Sequence, residues 1–317
     1  MNGSLRIGLA GLGTVGIEVA GRLLHGAVPG VTLTAVCARD RARDRGLDLS
    51  VVRWVDHPVE LAAAGDVDLV VELIGGTGDP AAALIDSALA AGKSVVTANK
   101  ALLAERAMQL AVVSEASGAS LAYEAAVAGG IPVIKTLREA LAGNKINRIS
   151  GILNGTCNFI LSQMESDGVS FEAALKNAQK FGFAEAEPDL DISGMDAAQK
   201  LALLAGLAFG VQPDVSQISV TGIEAITDQD ISFADEFNSV IRLISIAGET
   251  PDGLVQCVAP MLVERTHALA QVKNELNAVA LEASPVGQLF LQGPGAGGGA
   301  TASAVLSDIA DLAQGFG

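Results

Sequence analysis

LRIGLAGLGTVGIEVAGRLL, residues 5–24, is the stretch whose reading decides the fold. LRIGLA is a short apolar run of strand type. Gly11-Leu12-Gly13-Thr14-Val15-Gly16 follows it and fits G-x-G-x-x-G. The rest places apolar residues at helical spacing, with Gly26 as a stop. The glycine pattern is common in isolation. Its meaning comes from its place between a strand and a helix in a βαβ unit. There Gly11 allows a tight turn, Gly13 lets backbone approach a pyrophosphate, and Gly16 lets the helix pack on the sheet. Thr14 and Val15 open a helix whose N-terminus offers N–H groups and partial positive charge.

The pattern continues outward. VTLTAVCAR (31–39) alternates like a strand, and DVDLVVELIGG (66–76) is an apolar run closed by glycines, as in a buried parallel strand. PAAALIDSALAAG (80–92) is framed by Pro and Gly as a helix. SVVTANK (94–100) is a further strand, followed by an Ala-rich helix to about Ser117. Alternating strands and helices predict an α/β, Rossmann-type doubly wound nucleotide-binding domain over 1–131. From Pro132 the character changes to an α+β domain over 132–292. Helices are expected at about 132–142 and 156–211, then extended segments that include VTGIEAI (220–226) and LVQCVAPMLV (254–263). A glycine-rich turn feeds a last helix in 293–317.

At the end of the second strand, Cys37-Ala38-Arg39-Asp40 is followed by Arg41, Arg43 and Arg45. An NAD site places a carboxylate there for the ribose 2′-hydroxyl, whereas an arginine suits a 2′-phosphate. Arg39 therefore predicts NADP, with NAD as a second user; a solvated basic loop is the competing reading.

Net charge is −16, which argues against a nucleic-acid surface. The three cysteines, Cys37, Cys157 and Cys257, are far apart and form no metal or disulfide pattern. No apolar run reaches the ~20 residues that span a bilayer, and no secretory signal pattern opens the chain. A cytoplasmic, reduced protein is expected, with no membrane partner. Aromatics are scarce, with one tryptophan, Trp54.

A second stretch, GFAEAEPDLDISGMDAAQK (182–200), crowds Glu185, Glu187, Asp189, Asp191 and Asp196 ahead of Lys200 and an apolar helix. Asp189 to Gly194 opens like an EF-hand loop, but position 12 is Lys200, which excludes calcium. Ser193 and Asp196 resemble a capping box, and Asp196 and Lys200 form an i,i+4 pair. Helix stability accounts for Asp196 more readily than for a lysine in an apolar helix. A nicotinamide domain beside an acidic pocket with a lysine points to a dehydrogenase for a substrate bearing an ammonium group.

GLAGLGTVG, VVELIGG, VVTANKALLA, YEAAVAGGIPVI, GILNGTCNFIL, GFAEAEPDLDISGMDAAQKLALLA and GPGAGGGATASAVLSDI occur in one order and spacing. In this the chain resembles homoserine dehydrogenase over nearly its whole length. The resemblance implies NAD(P)-dependent interconversion of L-homoserine and L-aspartate 4-semialdehyde, on the route to threonine, methionine and isoleucine. It implies Lys200 as the proton-transferring lysine, Lys100 as the other active-site lysine and Asp196 as the acid beside Lys200. Glu185 and Asp191 are implied at the substrate, as are Asn154, Gly155 and Thr156, whose competing reading is a plain Asn-Gly turn. Thr97, Lys100, Gly297 and Thr301 join the glycine loop at the cofactor. Backbone groups of Glu124, Val127, Gly129 and Ile131 match a site for a monovalent cation such as sodium. The resemblance also implies that the last helix returns to the nucleotide domain and that a homodimer pairs through the second domain's sheet. No regulatory domain or fused kinase is expected. Glu187, Phe183 and Gln199 depart from the family pattern without removing a catalytic group. Three rivals are a thiol-dependent aldehyde dehydrogenase using Cys157, a non-catalytic NADP-binding regulatory protein, and another amino-acid dehydrogenase on this fold.

Overall fold

The computed structural model describes residues 4–315 and divides into two compact units. Unit 1 comprises 1–130 with 297–317, and unit 2 comprises 131–296. Residues 293–296 belong to unit 2 because its last strand runs on to Pro294.

Unit 1 is built on β1 (Leu5–Ala10), β2 (Val31–Cys37), β3 (Arg53–Trp54), β4 (Leu69–Glu72), β5 (Ser94–Thr97) and β6 (Leu121–Ala122). Every pairing is parallel, and the order is β3-β2-β1-β4-β5-β6. That is the doubly wound order, in which the strand sequence reverses direction between β1 and β4 and ligands bind beyond the carboxyl ends. Four helices make the connections: α1 (Thr14–Leu24), α2 (Glu60–Ala63), α3 (Ala81–Ala90) and α4 (Lys100–Ser117). The central strands are mostly apolar because both faces are covered; β4, Leu-Val-Val ending on Glu72, is buried at all four positions. The C-terminal helix, Gly298–Gln314, belongs to this unit. Its Ala302, Val305 and Ile309 share one core with Val19 and Leu23 of α1 and Leu9 of β1.

Unit 2 opens with α5 (Val133–Lys135) and a π-helical turn at Thr136–Ala140. β7 (Lys145–Ile152) leads into α6 (Gly155–Asp167), α7 (Phe171–Phe181), α8 (Asp189–Ile192) and α9 (Met195–Phe209). Then come β8 (Ser219–Val220), α10 (Asp228–Glu236), β9 (Ser239–Thr250), β10 (Gly253–Glu264), β11 (Leu276–Ser284) and β12 (Gly287–Pro294). The sheet order is β12-β11-β7-β9-β10-β8, antiparallel except where β8 meets β10.

Two local expectations are corrected. Of VTGIEAI only Val220 is strand, as the last residue of β8 (Ser219–Val220). A Cβ on Gly222 would run into the backbone of Ile192 and Ser193, and the Ile223 N–H donates to the Ile192 carbonyl at 2.8 Å. The segment is thus turned to cover the end of α8 rather than extended. The capping box at Ser193 and Asp196 does not form either. Gly194, at φ +84°, is the N-cap of α9 and has no side chain to offer.

The glycine loop supplies a test of the packing. A Cβ on Gly16 would collide with the Gly11 carbonyl oxygen. Gly16→Ala is expected to cost about 1–3 kcal/mol and to weaken dinucleotide binding about tenfold or more, read as a lower Tm and a raised Kd. An unchanged Kd would mean that the helix start can shift without disturbing the loop.

Candidate active site

In unit 1 the glycine loop has the shape its residue types require. Gly11 sits at φ +97°, and a Cβ there would lie 2.5 Å from the Leu73 carbonyl oxygen. Gly13 faces open space within 4 Å of its Cβ direction, leaving room for a ligand's phosphates. It is also the N-cap of α1 and provides no side-chain cap. The C-terminal helix begins in the same way, with Gly297 as an uncapped N-cap at φ +102° and the Thr301 N–H on the Gly297 carbonyl at 3.0 Å. The two helix starts are neighbours: a Cβ on Gly298 would lie 3.1 Å from Thr14 Cγ2. Two uncapped helix N-termini side by side favour an anion more than one does. The residues present therefore fit a dinucleotide pyrophosphate.

Arg39 is exposed just beyond β2. Arg45 donates to the carbonyls of Leu12 (3.4 Å) and Arg43 (2.7 Å), which ties this basic loop to the glycine loop. Arg41 and Arg45 lie over the Trp54 ring at 5.4 and 5.7 Å. Asp40 Oδ1 accepts from the N–H groups of Ala42 and Arg43, so that oxygen is spent on the local turn.

Thr97 and Asn99 are buried at the end of β5, and Lys100 is the first residue of α4. A cation at a helix N-terminus opposes the macrodipole, so helix stability does not account for Lys100. Glu124 is buried in a 3₁₀ turn, and its N–H donates to Asp308 of the C-terminal helix at 2.9 Å. Val127 follows, and then Ala128 and Gly129 at positive φ (+56° and +49°); Ile131 is the first residue of unit 2. Among the described residues, no group of three or more His, Cys, Asp and Glu side chains could hold a metal ion.

The sharper constellation lies in unit 2. Asn154 is an extended N-cap of α6, with Oδ1 accepting the Cys157 N–H at 2.7 Å. It is therefore not part of a plain Asn-Gly turn. Gly155 is obligatory, since a Cβ would lie 2.5 Å from the Glu275 carbonyl oxygen. Asn154 Nδ2 donates to both Asp191 Oδ1 and Asp196 Oδ2, each at 2.8 Å. Lys200 Nζ donates to Asp196 Oδ2 at 2.7 Å and to the Leu153 carbonyl at 2.8 Å. Thr156 Oγ1 donates to the Phe183 carbonyl at 2.6 Å and approaches Asp191 Oδ2 at 3.3 Å. Asn154, Asp191, Asp196, Lys200 and Thr156 are thus one hydrogen-bonded cluster. Lys200 is only 9% exposed. A buried ion pair adds little over an apolar pair, while losing one partner costs about 3–5 kcal/mol. Lys200 is held in place at an expense that stability alone does not justify.

Glu185 is not brought into this cluster. It is exposed beyond α7, and its backbone carbonyl accepts from Gln179 Nε2 at 3.2 Å. Cys157 is fully buried, with Sγ donating to the Asp191 carbonyl at 3.2 Å. Burial, then the nearby charges of Asp191, Asp196 and Glu224, hold its thiol well above the ordinary range. Full burial and this upward shift both disfavour a nucleophilic thiolate, which argues against the thiol-dependent reading. Two contributors escaped the sequence. The Leu153 carbonyl leaves no side-chain signal, and Asn158 Nδ2 anchors α6 by donating to the carbonyls of Val272, Asn274 and Leu276.

Burial raises the Asp191 carboxyl above its ordinary value. The Asn154 hydrogen bond opposes this, the Asp196 charge adds to it, and Lys200 and Thr156 oppose it. A carboxyl raised in this way stabilises the fold fully below its unfolded value of about 4, and that contribution is lost as pH rises through the raised value. Asp191→Asn, always neutral, should therefore raise Tm at pH 7.5 and show no gain near pH 4. Partial exposure keeps the gain below about 1 kcal/mol, or ~2–4 °C. A lower Tm at pH 7.5 would show that Asn154 and Lys200 outweigh the burial.

Comparison with known proteins agrees with this site. Residues 11–124 match the family model for the homoserine dehydrogenase NAD-binding domain, and residues 132–310 match that for homoserine dehydrogenase. The chain is 42% identical over 317 residues to the homoserine dehydrogenase of Neisseria gonorrhoeae, covering 98% of this chain and 72% of that protein. The crystal structure of a homoserine dehydrogenase from Thiobacillus denitrificans superposes with a TM-score of 0.94 at 38% identity, over 98% of this chain and 73% of that one. A hyperthermophilic archaeal homoserine dehydrogenase in complex with NADPH superposes with a TM-score of 0.83 at 27% identity, over 99% of each chain. With a dinucleotide cradle in one unit, a carboxylate-bound lysine in the other and matches across both, the chain belongs to the homoserine dehydrogenase family of oxidoreductases.

Proposed function

We propose that this protein interconverts L-homoserine and L-aspartate 4-semialdehyde with NADP as preferred dinucleotide and NAD as a second user. The observation that carries the reaction is the Lys200 ammonium, clamped by Asp196 and the Leu153 carbonyl. An ammonium has three donors. Two are committed, and the third serves the substrate oxygen. The bound nicotinamide supplies or accepts the hydride. Lys200 gives a proton to the oxygen of the reduced carbonyl, or takes it in the reverse direction. Asp196 keeps that ammonium aimed, and Asn154 holds Asp191 and Asp196 apart from each other's charge. Asp191 binds the substrate ammonium, and exposed Glu185 is drawn to it as a second carboxylate. Thr156 and Gly155 set the first turn of α6 against the substrate. Lys100 lends positive charge to the developing alkoxide.

Three features support NADP. Arg39 is exposed and has no carboxylate partner among the described residues, Asp40 is engaged by its own turn, and a related archaeal structure carries NADPH. A monovalent cation held by backbone carbonyls around 124–131 completes the cofactor set. It would need no acidic cluster, and the left-handed Ala128–Gly129 turn suits a carbonyl cage. A homodimer through the second sheet is supported by exposed Val255 with half-buried Met261 and Val263 on the same face of β10; a sedimentation mass of one chain would overturn it. A cytoplasmic setting completes the reading. No helix among the described residues is long and apolar enough to cross a membrane.

The direct test is oxidation of L-homoserine at alkaline pH, followed through reduced-cofactor absorbance with NADP and NAD in parallel. Turnover is expected with both and faster with NADP, and Arg39→Ala should lower the NADP-to-NAD ratio about tenfold. A ratio that does not move would assign the 2′-phosphate elsewhere. Lys200→Ala should reduce kcat by about 10²–10⁴ and leave cofactor Kd unchanged. Near wild-type kcat in that variant would remove Lys200 from proton transfer. Cofactor binding without any turnover in the wild-type protein would favour a regulatory protein or a different substrate.

A further inference from the structure

We infer that Glu72 is a positioning residue for the dinucleotide end of unit 1, joining the loops that follow β4 and β5 to the floor of the glycine loop. The inference rests on the dinucleotide reading above and names what fixes its cradle. Glu72 is the last residue of β4 and is 0% exposed. A carboxylate so deep is costly unless hydrogen-bonded. Its Oε1 accepts from the N–H groups of Ile74 (2.7 Å) and Gly75 (2.9 Å), and its Oε2 accepts from the Thr97 hydroxyl (2.6 Å). Thr97 Oγ1 in turn accepts the Asn99 N–H at 3.0 Å. Asn99 Nδ2 donates back to the Gly76 carbonyl at 2.8 Å, which closes a ring from the β4 loop through β5 and back. Asn99 Oδ1 also caps α4 by accepting the Leu102 N–H at 3.2 Å.

The ring's location gives it a consequence. β4 lies beside β1, so the ring sits at the carboxyl ends next to the point where strand order reverses. Gly11 lies flat on the backbone that Glu72 holds: a Cβ there would be 2.5 Å from the Leu73 carbonyl oxygen and 3.0 Å from the Ile74 nitrogen. Displacing 73–75 displaces the floor under the glycine loop. Lys100 follows Asn99 directly, so the same ring sets where α4 begins and from where that lysine projects. Strand packing does not ask for an acid at this position, since the rest of β4 is Leu-Val-Val. A carboxylate is required because it alone accepts from all three donors. A glutamine would present its NH₂ to one of them. In Glu72→Gln an amide Nε2 facing Thr97 Oγ1 would leave the buried Thr97 hydroxyl proton without its acceptor.

The test compares Glu72→Gln, Thr97→Val, Thr97→Ser and the Glu72→Gln/Thr97→Val double variant. NADPH Kd is read by fluorescence titration, and kcat and KM for L-homoserine are read at saturating cofactor. Glu72→Gln and Thr97→Val are each expected to raise Kd about tenfold or more and to lower kcat, with KM for L-homoserine within about twofold of wild type. Thr97→Ser, which keeps the hydroxyl, should recover most of the Kd and kcat lost in Thr97→Val, and the double variant should be no worse than its worse single variant, because both break one ring. Wild-type Kd and kcat in folded Glu72→Gln and Thr97→Val would overturn the proposal. So would a loss of Tm with Kd and KM rising together and no rescue in Thr97→Ser, which is the signature of a stability role alone. If Glu72→Gln does not fold, Thr97→Val, which leaves the carboxylate in place, carries the test. A wild-type protein that binds neither NADPH nor NADH would overturn the dinucleotide reading, and this proposal with it.

Discussion

Asn154 Nδ2 stands between two carboxylates, one buried and one half-buried, 2.8 Å from an oxygen of each, and the cluster in unit 2 depends on that placement. Asp191 and Asp196 would otherwise repel each other at low dielectric. With the amide between them, Asp196 is left to face Lys200 and Asp191 is left half-buried at the cluster's edge. The same side chain caps α6 through its oxygen. One residue thus sets the helix start, the charge separation and, through Asp196, the aim of the lysine. The neighbouring glycine cannot be replaced without pushing α6 off the Glu275 carbonyl.

Unit 1 solves a different problem, which is to offer a charged ligand a rigid cradle made mostly of backbone. Glycines at 11, 13 and 16 shape the first loop, and a second glycine-rich start at 297–298 lies against it. Backbone loops of this kind need to be pinned. Here the pins are buried polar side chains: Glu72, Thr97 and Asn99 on one side, and Asp308 on the Glu124 N–H on the other. Each is satisfied by a neighbour, as buried polar groups must be.

The chain carries a net charge of −16, yet its two regions differ in local field. In unit 1 helix N-termini and the arginines at 39–45 supply positive character; in unit 2 acids enclose one lysine. An anionic dinucleotide and an ammonium-bearing amino acid ask for opposite fields. The two units carry these opposite fields with different devices.

Much of this was legible in the sequence because it depends on local spacing. The β1 run, the glycine loop and the Pro–Gly frame of α3 give unit 1 its elements through backbone rules that act within a few residues. Asp196 and Lys200 meet because residues four apart share a helix face. Other features were set only by tertiary contact. VTGIEAI alternates like a strand, yet Gly222 packs flat on Ile192 and Ser193, and the chain turns. Ser193 has the spacing of a cap, but Gly194 takes the left-handed position that ends α8 and starts α9. β7 and β9 went unread: β9 is buried along most of its length and shows no alternation. The Leu153 carbonyl on Lys200 and the ring around Glu72 were invisible for one reason. Sequence states which groups can donate or accept. Only the packed chain decides which of them, far apart along it, are carried out of water together and must satisfy one another.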